Sequence, residues 1–294
     1  MTEKMKLLIA YDGSECAEAA LADLERAGLP REAEVVVLTV ADVWSWPEET
    51  DAPVPRGADI IGVKKARAEA MAAVEDARQM ALRASERLRA GFPGWTVSAE
   101  ACADSPAWGI IKRADEWQPD LIVVGSHGRT AIERFVLGSV SQKVLYEARC
   151  SVRIARARQR SDGGPPRLII GTDGSPDAEA AIDAVARRAW PPGTEARVVV
   201  ALDAVLPVKL DAERRTVLKW FEADDEDDRQ QAREIIEASA EKLRAAGLVA
   251  ATSVKKGSPK RVLLDEAEQW QADSIFLGAR GARGIERFLL GSVS

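Results

Sequence analysis

The sequence predicts an α/β protein of two tandem, doubly wound domains, and three observations carry that prediction. The halves of the 294-residue chain are copies of each other. "KLLIAYDGSECAEAAL" from Lys6 matches "RLIIGTDGSPDAEAAI" from Arg167, "AEVVVLTV" from Ala33 matches "ARVVVALD" from Ala196, and "DSPAWGIIKRADEWQPDLIVVGSHGRTAIERFVLGSVS" matches "GSPKRVLLDEAEQWQADSIFLGARGARGIERFLLGSVS". The offset is 161 residues at Asp12/Asp173 and 153 at Gly128/Gly281, a period that indicates duplicated domains and not a solenoid. Second, short runs of Val, Leu and Ile alternate with longer helical patterns, as in parallel sheets buried on both faces. Third, "RARQRSDGGPP", residues 156–166, is polar and then Gly/Pro-rich, as an exposed linker is. The domains are therefore placed at 1–156 and 167–294.

In the first copy the strands are expected at 6–12, 34–41, 95–101, 120–125 and 151–156, and the helices at 14–27, 61–91, 106–117 and 139–148. The result is a Rossmann-like, five-stranded-type parallel sheet with helices on its faces. The segment 44–59 holds three prolines and reads as an exposed loop. Its counterpart in the second copy contains "FEADDEDD", residues 221–228, a charge run that suits a solvated helix start. Asp224, Asp225, Asp227 and Asp228 within it show no recognised metal-ligand spacing. The second copy stops at Ser294, directly after its last glycine motif, and is expected without the final helix and strand.

Composition narrows the function classes. Hydrophobic residues make up 46% and charged residues 30%, the balance of an ordinary globular chain. No apolar stretch reaches the roughly 18 to 20 residues that span a bilayer, and the amino end, which enters a strand-like run at once, is expected to be no signal peptide. Cys16, Cys102 and Cys150 are scattered thiols without C-x-x-C spacing, which argues for small buried hydrophobes and a cytoplasmic setting. A net charge of −6 offers no general attraction to nucleic acid, so an anionic small molecule would need a local site.

In an open α/β sheet that site lies beyond the carboxyl ends of the strands. Asp12, Gly13 and Ser14 follow the first strand, Val40 ends the second, and the loop from Gly125 to Ser139 follows the fourth. Gly125 and Gly128 permit positive φ and close approach of a ligand, shaping a loop whose N–H groups form an anion nest. Gly138 and Ser139 open a helix whose unpaired N–H groups and dipole favour phosphate. The hydroxyls of Ser139 and Ser141 add donors, and Arg129 and Arg134 add charge if the loop folds over the pocket. Asp12 has two readings, a ligand for adenine or ribose hydrogen-bond donors or the cap of the following helix. His127, the chain's single histidine, is either a loop residue facing solvent or phosphate, or a general base.

Asp-Gly-Ser after the first strand, with G-x-x-G-x9-G-S near the end of the unit, resembles the universal stress protein family in its ATP-binding branch. The likeness runs through both copies. It implies tandem or dimeric pairing of such domains and an adenine nucleotide, ATP or its di- and monophosphate, held by the glycine loop. By resemblance, Asp12 and the Val40 backbone contact adenosine, and Gly125, Gly128, Gly138, Ser139, Val140 and Ser141 hold the phosphates; His127 and Arg129 of the same loop are counted with them as cofactor-binding candidates. The matching positions of the second copy are Asp173, Asp203, Gly278, Arg280, Gly281, Gly291, Ser292, Val293 and Ser294. Asp203 stands where Val40 does and Arg280 where His127 does, so the two sites are expected to differ. A triphosphate would bring Mg²⁺ with several waters.

The expected function is a nucleotide-binding regulator of the stress response, its two copies packed as an intramolecular pair and open to further homodimerisation. The alternative is a slow ATPase or another ATP-using enzyme. Against it, the chain has no Walker A sequence, no Ser-Gly-Gly-x-Asp-Ser loop and no catalytic triad, since one histidine must serve both copies. A third reading is an interaction module whose loops stay empty.

Overall fold

A computed structural model of the chain describes residues 4–43, 60–127, 137–155, 163–202 and 226–279. The chain divides into two compact units, one of residues 1–25 and 30–158, the other of 26–29 and 159–294. The segments 44–59 and 221–225, with Asp224 and Asp225, lie outside the described residues, as does the stretch after residue 279.

In the first unit β1 (Met5–Ala10), α1 (Glu15–Asp23), β2 (Ala33–Ala41), α2 (Ile60–Gly91), β3 (Trp95–Ala103), α3 (Pro106–Trp117), β4 (Leu121–Gly125), α4 (Ser139–Glu147) and β5 (Ser151–Ala155) alternate along the chain. The sheet order is β3-β2-β1-β4-β5, and every pair is parallel. Central β1 explains the unbroken apolar run: Leu7, Leu8 and Ile9 are all fully buried, because helices cover both faces of the sheet. Leu8, Val36, Ile122 and Val124 pack under Ile110 of α3 and Val144 of α4. Gly125, the next residue after Val124, faces the other side, where it meets Cys16 at the start of α1.

The expected strands and helices fall within two residues of these bounds, with one difference at α1. The predicted helix 14–27 is α-helical only to Asp23 and tightens into a 3₁₀ turn over Leu24–Arg26. Helix α3 begins on a proline after Ser105 and ends at Gln118 in the left-handed conformation (φ 52°), whose N–H bonds the Ala114 carbonyl at 2.8 Å.

The second unit repeats the pattern as β6 (Arg167–Gly171), α5 (Pro176–Ala186), β7 (Glu195–Leu202), α6 (Glu226–Ala245), β8 (Val249–Lys256), α7 (Pro259–Trp270) and β9 (Ser274–Phe276). Its parallel order is β8-β7-β6-β9. Leu168, Ile170, Val198 and Ile182 form one core with Ile236 and Leu243 of α6, while Ile169 and Val199 pack under Val262 and Leu263 of α7. Helix α7 ends as α3 does, at a left-handed glutamine, Gln271 (φ 53°). Among the described residues no helix is long and apolar enough to cross a membrane.

One ion pair is kept in both units with its polarity reversed. Arg113 of α3 grips Glu100 of β3 in a two-pronged contact, Nε to Oε2 at 2.6 Å and Nη2 to Oε1 at 2.8 Å. At the equivalent places of the second unit Lys255 of β8 replaces Glu100, and Glu266 of α7 replaces Arg113. Arg197, equivalent to Glu34, joins Lys255 on the Glu266 carboxylate, which is 3% exposed. A carboxylate this deep stays charged only when paired. Burial pushes the Glu266 carboxyl up, but hydrogen bonds from Lys255 and Arg197 outweigh it and hold it below the ordinary glutamate range.

Two outcomes follow from these pairs. Arg113→Glu should lower stability by about 1 kcal/mol, roughly 2–4 °C for a domain of this size. Adding Glu100→Lys should recover most of that loss in a thermal melt, because the pair is then the second unit's. The Glu266 pair, with its lowered folded value, contributes fully above the unfolded glutamate value and is lost as pH falls through the folded one. Melts between about pH 6 and about pH 3 should therefore show a shallower acid loss in Glu266→Gln than in the parent, from a lower starting midpoint.

Candidate functional site

Strand order reverses between β1 and β4, and all five strands run parallel, so their carboxyl ends share one edge. That edge is where an open α/β sheet leaves a crevice. The chain leaves β1 early: the Tyr11 N–H still bonds the Leu38 carbonyl of β2 at 2.9 Å, and the backbone then turns at Gly13, with φ 73°. Asp12 therefore sits in a turn and not in the strand predicted over 6–12. Its Oδ1 accepts the Ser14 N–H at 3.0 Å, closing an Asx turn. Ser14 is the residue that caps α1, its Oγ accepting the Ala17 N–H at 3.2 Å. Of the two readings of Asp12, the cap belongs to its neighbour, and the Asp12 carboxylate stands half-buried at the mouth of the crevice.

Val40 lies past the last β1–β2 pair, Ala10 with Leu38. Leu38 turns its carbonyl toward β1, so by strand alternation the N–H and C=O of Val40 face the same way, beyond the end of β1. Its side chain goes into the core, where a Cβ on Gly109 of α3 would come within 2.9 Å of it. Only the backbone of Val40 is presented to the crevice.

The end of β4 departs from the glycine-turn reading. Gly125 pairs with Ala155 as a strand residue and does not take a positive φ. A Cβ there would meet the Cys16 carbonyl carbon at 2.9 Å and the Ala17 nitrogen at 3.0 Å, so the missing side chain admits the backbone of α1. Gly278 repeats this against Asp177 and Ala178, at 2.6 and 2.7 Å.

Next to Gly125, the Ser126 N–H bonds the Ala155 carbonyl at 2.8 Å, and the Ser126 carbonyl accepts the Gly138 N–H at 2.8 Å and the Ser141 hydroxyl at 3.1 Å. Ser141, buried, spends its proton on this carbonyl and on that of Gly138 at 2.9 Å, so it locks the start of α4 and is no spare donor. Ser139 is exposed and Val140 half-buried against the core. Gly138 has no side chain to cap α4, and the first intrahelical bond is Gln142 N–H to Gly138 carbonyl at 2.9 Å. The N–H groups of Ser139, Val140 and Ser141 thus precede the helical ladder, at the positive end of its dipole.

His127 sits between the two helix starts, its carbonyl accepting the Ser14 hydroxyl at 3.4 Å. Its Nδ1 lies 3.1 Å from Ser126 Oγ, while Nε2 is buried with no hydrogen-bond partner among the described residues. Ser126 is not among the residues that the sequence singles out. The only trace it leaves there is its replacement by Ala279 in the second copy.

Behind the crevice Tyr11 donates to Glu18 of α1, which also receives Arg87 of α2. Burial, then the hydrogen bond and charge of Glu18, push the Tyr11 phenol up to about 12, so it remains a donor.

The second unit reproduces the first turn. Ser175 donates its N–H to Asp173 Oδ1 at 3.0 Å and caps α5 through Ala178 at 3.2 Å, with Gly174 at φ 74°. Among the predicted site positions Gly128, Arg129, Asp203, Arg280, Gly281, Gly291, Ser292, Val293 and Ser294 lie outside the described residues, as does Arg134. Among the described residues no three His, Cys, Asp or Glu side chains group as a metal site.

Comparison with known proteins agrees with this architecture. The model of the universal stress protein family matches residues 4–156 and 166–294. A universal stress protein of Mycobacterium tuberculosis is 27% identical over 303 residues, spanning 98% of this chain and 90% of its own length. One from Synechocystis is 36% identical over 69 residues, 24% of this chain and 45% of its own. The crystal structure of a universal stress protein from Archaeoglobus fulgidus shares the fold, with a TM-score of 0.58 at 21% identity over 98% of this chain and 92% of that one.

The two described motif glycines of the first site, Gly125 and Gly138, should respond differently to a methyl group. Gly125→Ala forces α1 off the strand end and is expected to cost about 1–3 kcal/mol. Gly138→Ala, with φ −65° and nothing nearer than 3.4 Å to its Cβ, should be close to neutral in the same thermal melts.

Proposed function

The chain belongs to the universal stress protein family, and on that premise we propose that it binds an adenine nucleotide at the crevice of each copy and acts as a nucleotide-dependent regulator in the stress response. ATP is the favoured ligand, with ADP or AMP as its products or competitors, and Mg²⁺ accompanies the triphosphate. The observation that carries the reading is the Nε2 of His127, buried and without a hydrogen-bond partner among the described residues, on a residue whose backbone lies against the starts of α1 and α4. A buried nitrogen without a partner costs free energy unless a ligand supplies one, and an uncapped helix start suits a phosphate.

The remaining groups divide the nucleotide between them. The Asp12 carboxylate, held by its Asx turn, has acceptor capacity for a ribose hydroxyl or the adenine amino group. The backbone N–H and C=O of Val40 offer one donor and one acceptor to the base edge. The N–H groups of Ser139 and Val140 take phosphate oxygens, with Gly128 and Arg129 completing the loop. In the second copy Asp173 has the duty of Asp12, together with Asp203, Arg280, Gly281 and Gly291–Ser294, while Gly278 admits the backbone of α5 as Gly125 does that of α1.

Calorimetric titration of the full chain with ATP, ADP, AMP and adenosine tests the reading. Asp12→Ala should weaken all four at one site by about 10- to 100-fold, the loss of one hydrogen bond to a charged group. Asp173→Ala should do the same at the other. If the parent chain takes up no adenine nucleotide at millimolar concentration, or if both variants bind as the parent does, the proposal fails.

A further inference from the structure

Ser126 is buried to 2% exposure, and its hydroxyl has two side-chain neighbours, Nδ1 of His127 at 3.1 Å and Sγ of Cys16 at 3.5 Å. It has a single proton to give. A neutral imidazole carries one N–H and one lone-pair nitrogen, and that nitrogen is a far better acceptor than a thiol sulfur. The hydroxyl proton therefore belongs on Nδ1, with the thiol left to face the oxygen. With Nδ1 accepting, the ring's own proton sits on Nε2, the nitrogen that is buried and without a partner among the described residues.

We propose that Ser126 is a positioning residue that holds His127 as its Nε2–H tautomer, so that the imidazole presents a hydrogen-bond donor to a phosphate oxygen of the nucleotide. The second half of this statement rests on the nucleotide reading above; the first half stands on the Ser126–His127 geometry alone. The tautomer decides the sign of the contact. With the proton on Nδ1, Nε2 would turn a lone pair toward an oxygen that has only lone pairs to offer, and the contact would repel.

The second copy supplies an independent argument. Its residues at the places of Ser126, His127 and Cys16 are Ala279, Arg280 and Asp177. Equivalence of the positions follows from the shared close approach, Gly125 against Cys16 and Gly278 against Asp177. A guanidinium is a donor through every N–H and has no tautomer to set. Where arginine stands, the positioning hydroxyl is absent. Serine and histidine occur together, and alanine and arginine occur together, as expected if the hydroxyl serves the imidazole.

Because the chain has one histidine, two-bond ¹H–¹⁵N correlation of the imidazole in the full-length protein reads its tautomer without assignment. At about pH 8.5, roughly two units above the ordinary imidazole value, the parent should show the Nε2–H pattern. Ser126→Ala, which the second copy carries at this position, should shift it toward Nδ1–H, and Ser126→Thr, which keeps the hydroxyl, should retain the parental pattern. A parental Nδ1–H form, or an Ser126→Ala spectrum identical to the parent's, would overturn the positioning role. Titration with ATP and with adenosine reads the other half: Ser126→Ala should weaken ATP by about 2- to 10-fold, one hydrogen bond's worth, and leave adenosine unchanged. Equal loss for both ligands, or none, overturns the phosphate contact. Failure of the parent to bind ATP overturns that contact together with the nucleotide reading, and the tautomer measurement still decides the role of Ser126.

Discussion

The backbone of Ser126 is the point on which the first site hangs. Its N–H closes the β4–β5 edge through Ala155, and its carbonyl collects the Gly138 N–H and the Ser141 hydroxyl. One residue thus ties the end of a central strand to an edge strand and to the first turn of α4. On the opposite face the absent side chain of Gly125 lets the first turn of α1 close onto the same strand end. Two helix starts meet there because a buried strand end needs its polar groups satisfied and because no Cβ keeps α1 away. The half-buried carboxylate of Asp12, the helix N–H groups of α4 and the imidazole of His127 take their places from that junction.

The strands were legible because a sheet covered on both faces leaves an uninterrupted apolar run, and "LLIA" or "DLIVVG" has no other economical use. Their carboxyl ends were legible for the same reason, since parallel strands bring Asp12, Val40 and Gly125 to one edge. The details that place polar groups were not. Asp12 and Ser14 are both good capping residues two positions apart, and only the backbone at Gly13 decides that Ser14 caps while Asp12 closes a turn. Gly125 carries a glycine's ambiguity between a special φ and a close neighbour, and the neighbour, α1, is more than a hundred residues away in sequence. Ser141 reads as a spare donor until its proton is found committed to two carbonyls. Ser126 gives no pattern of its own, because a hydroxyl's partner is set by tertiary contact.

Duplication turns the chain into its own comparison, and the copies differ in linked sets. Glu100 with Arg113 becomes Lys255 with Glu266, and Glu34 becomes Arg197, so each carboxylate keeps a cation whichever element supplies it. A single member of such a set cannot change alone without leaving a poorly solvated charge unpaired. The Ser126–His127 and Ala279–Arg280 pairs follow the same rule on a smaller scale.

The same reasoning separates the two turns that carry Asp12 and Asp173. In the first unit the residue before the aspartate is Tyr11, which reaches Glu18 of α1, and Arg87 of the long α2 completes the network. Burial raises the Glu18 carboxyl, but the hydrogen bonds from Tyr11 and Arg87 outweigh it and leave it below its ordinary range, so the carboxylate is charged and held. The turn is thereby fastened to two helices. In the second unit Thr172 stands in the place of Tyr11, and its hydroxyl accepts the Gly174 N–H at 3.2 Å, two residues away, while Glu179, the counterpart of Glu18, is exposed. In the first unit side-chain contacts run from Tyr11 through Glu18 to Arg87 of α2, whereas among the described residues the Thr172 hydroxyl is bonded within the Asp173 turn. Two aspartates in matching turns therefore follow residues anchored in different ways, Tyr11 to two helices and Thr172 within its own turn.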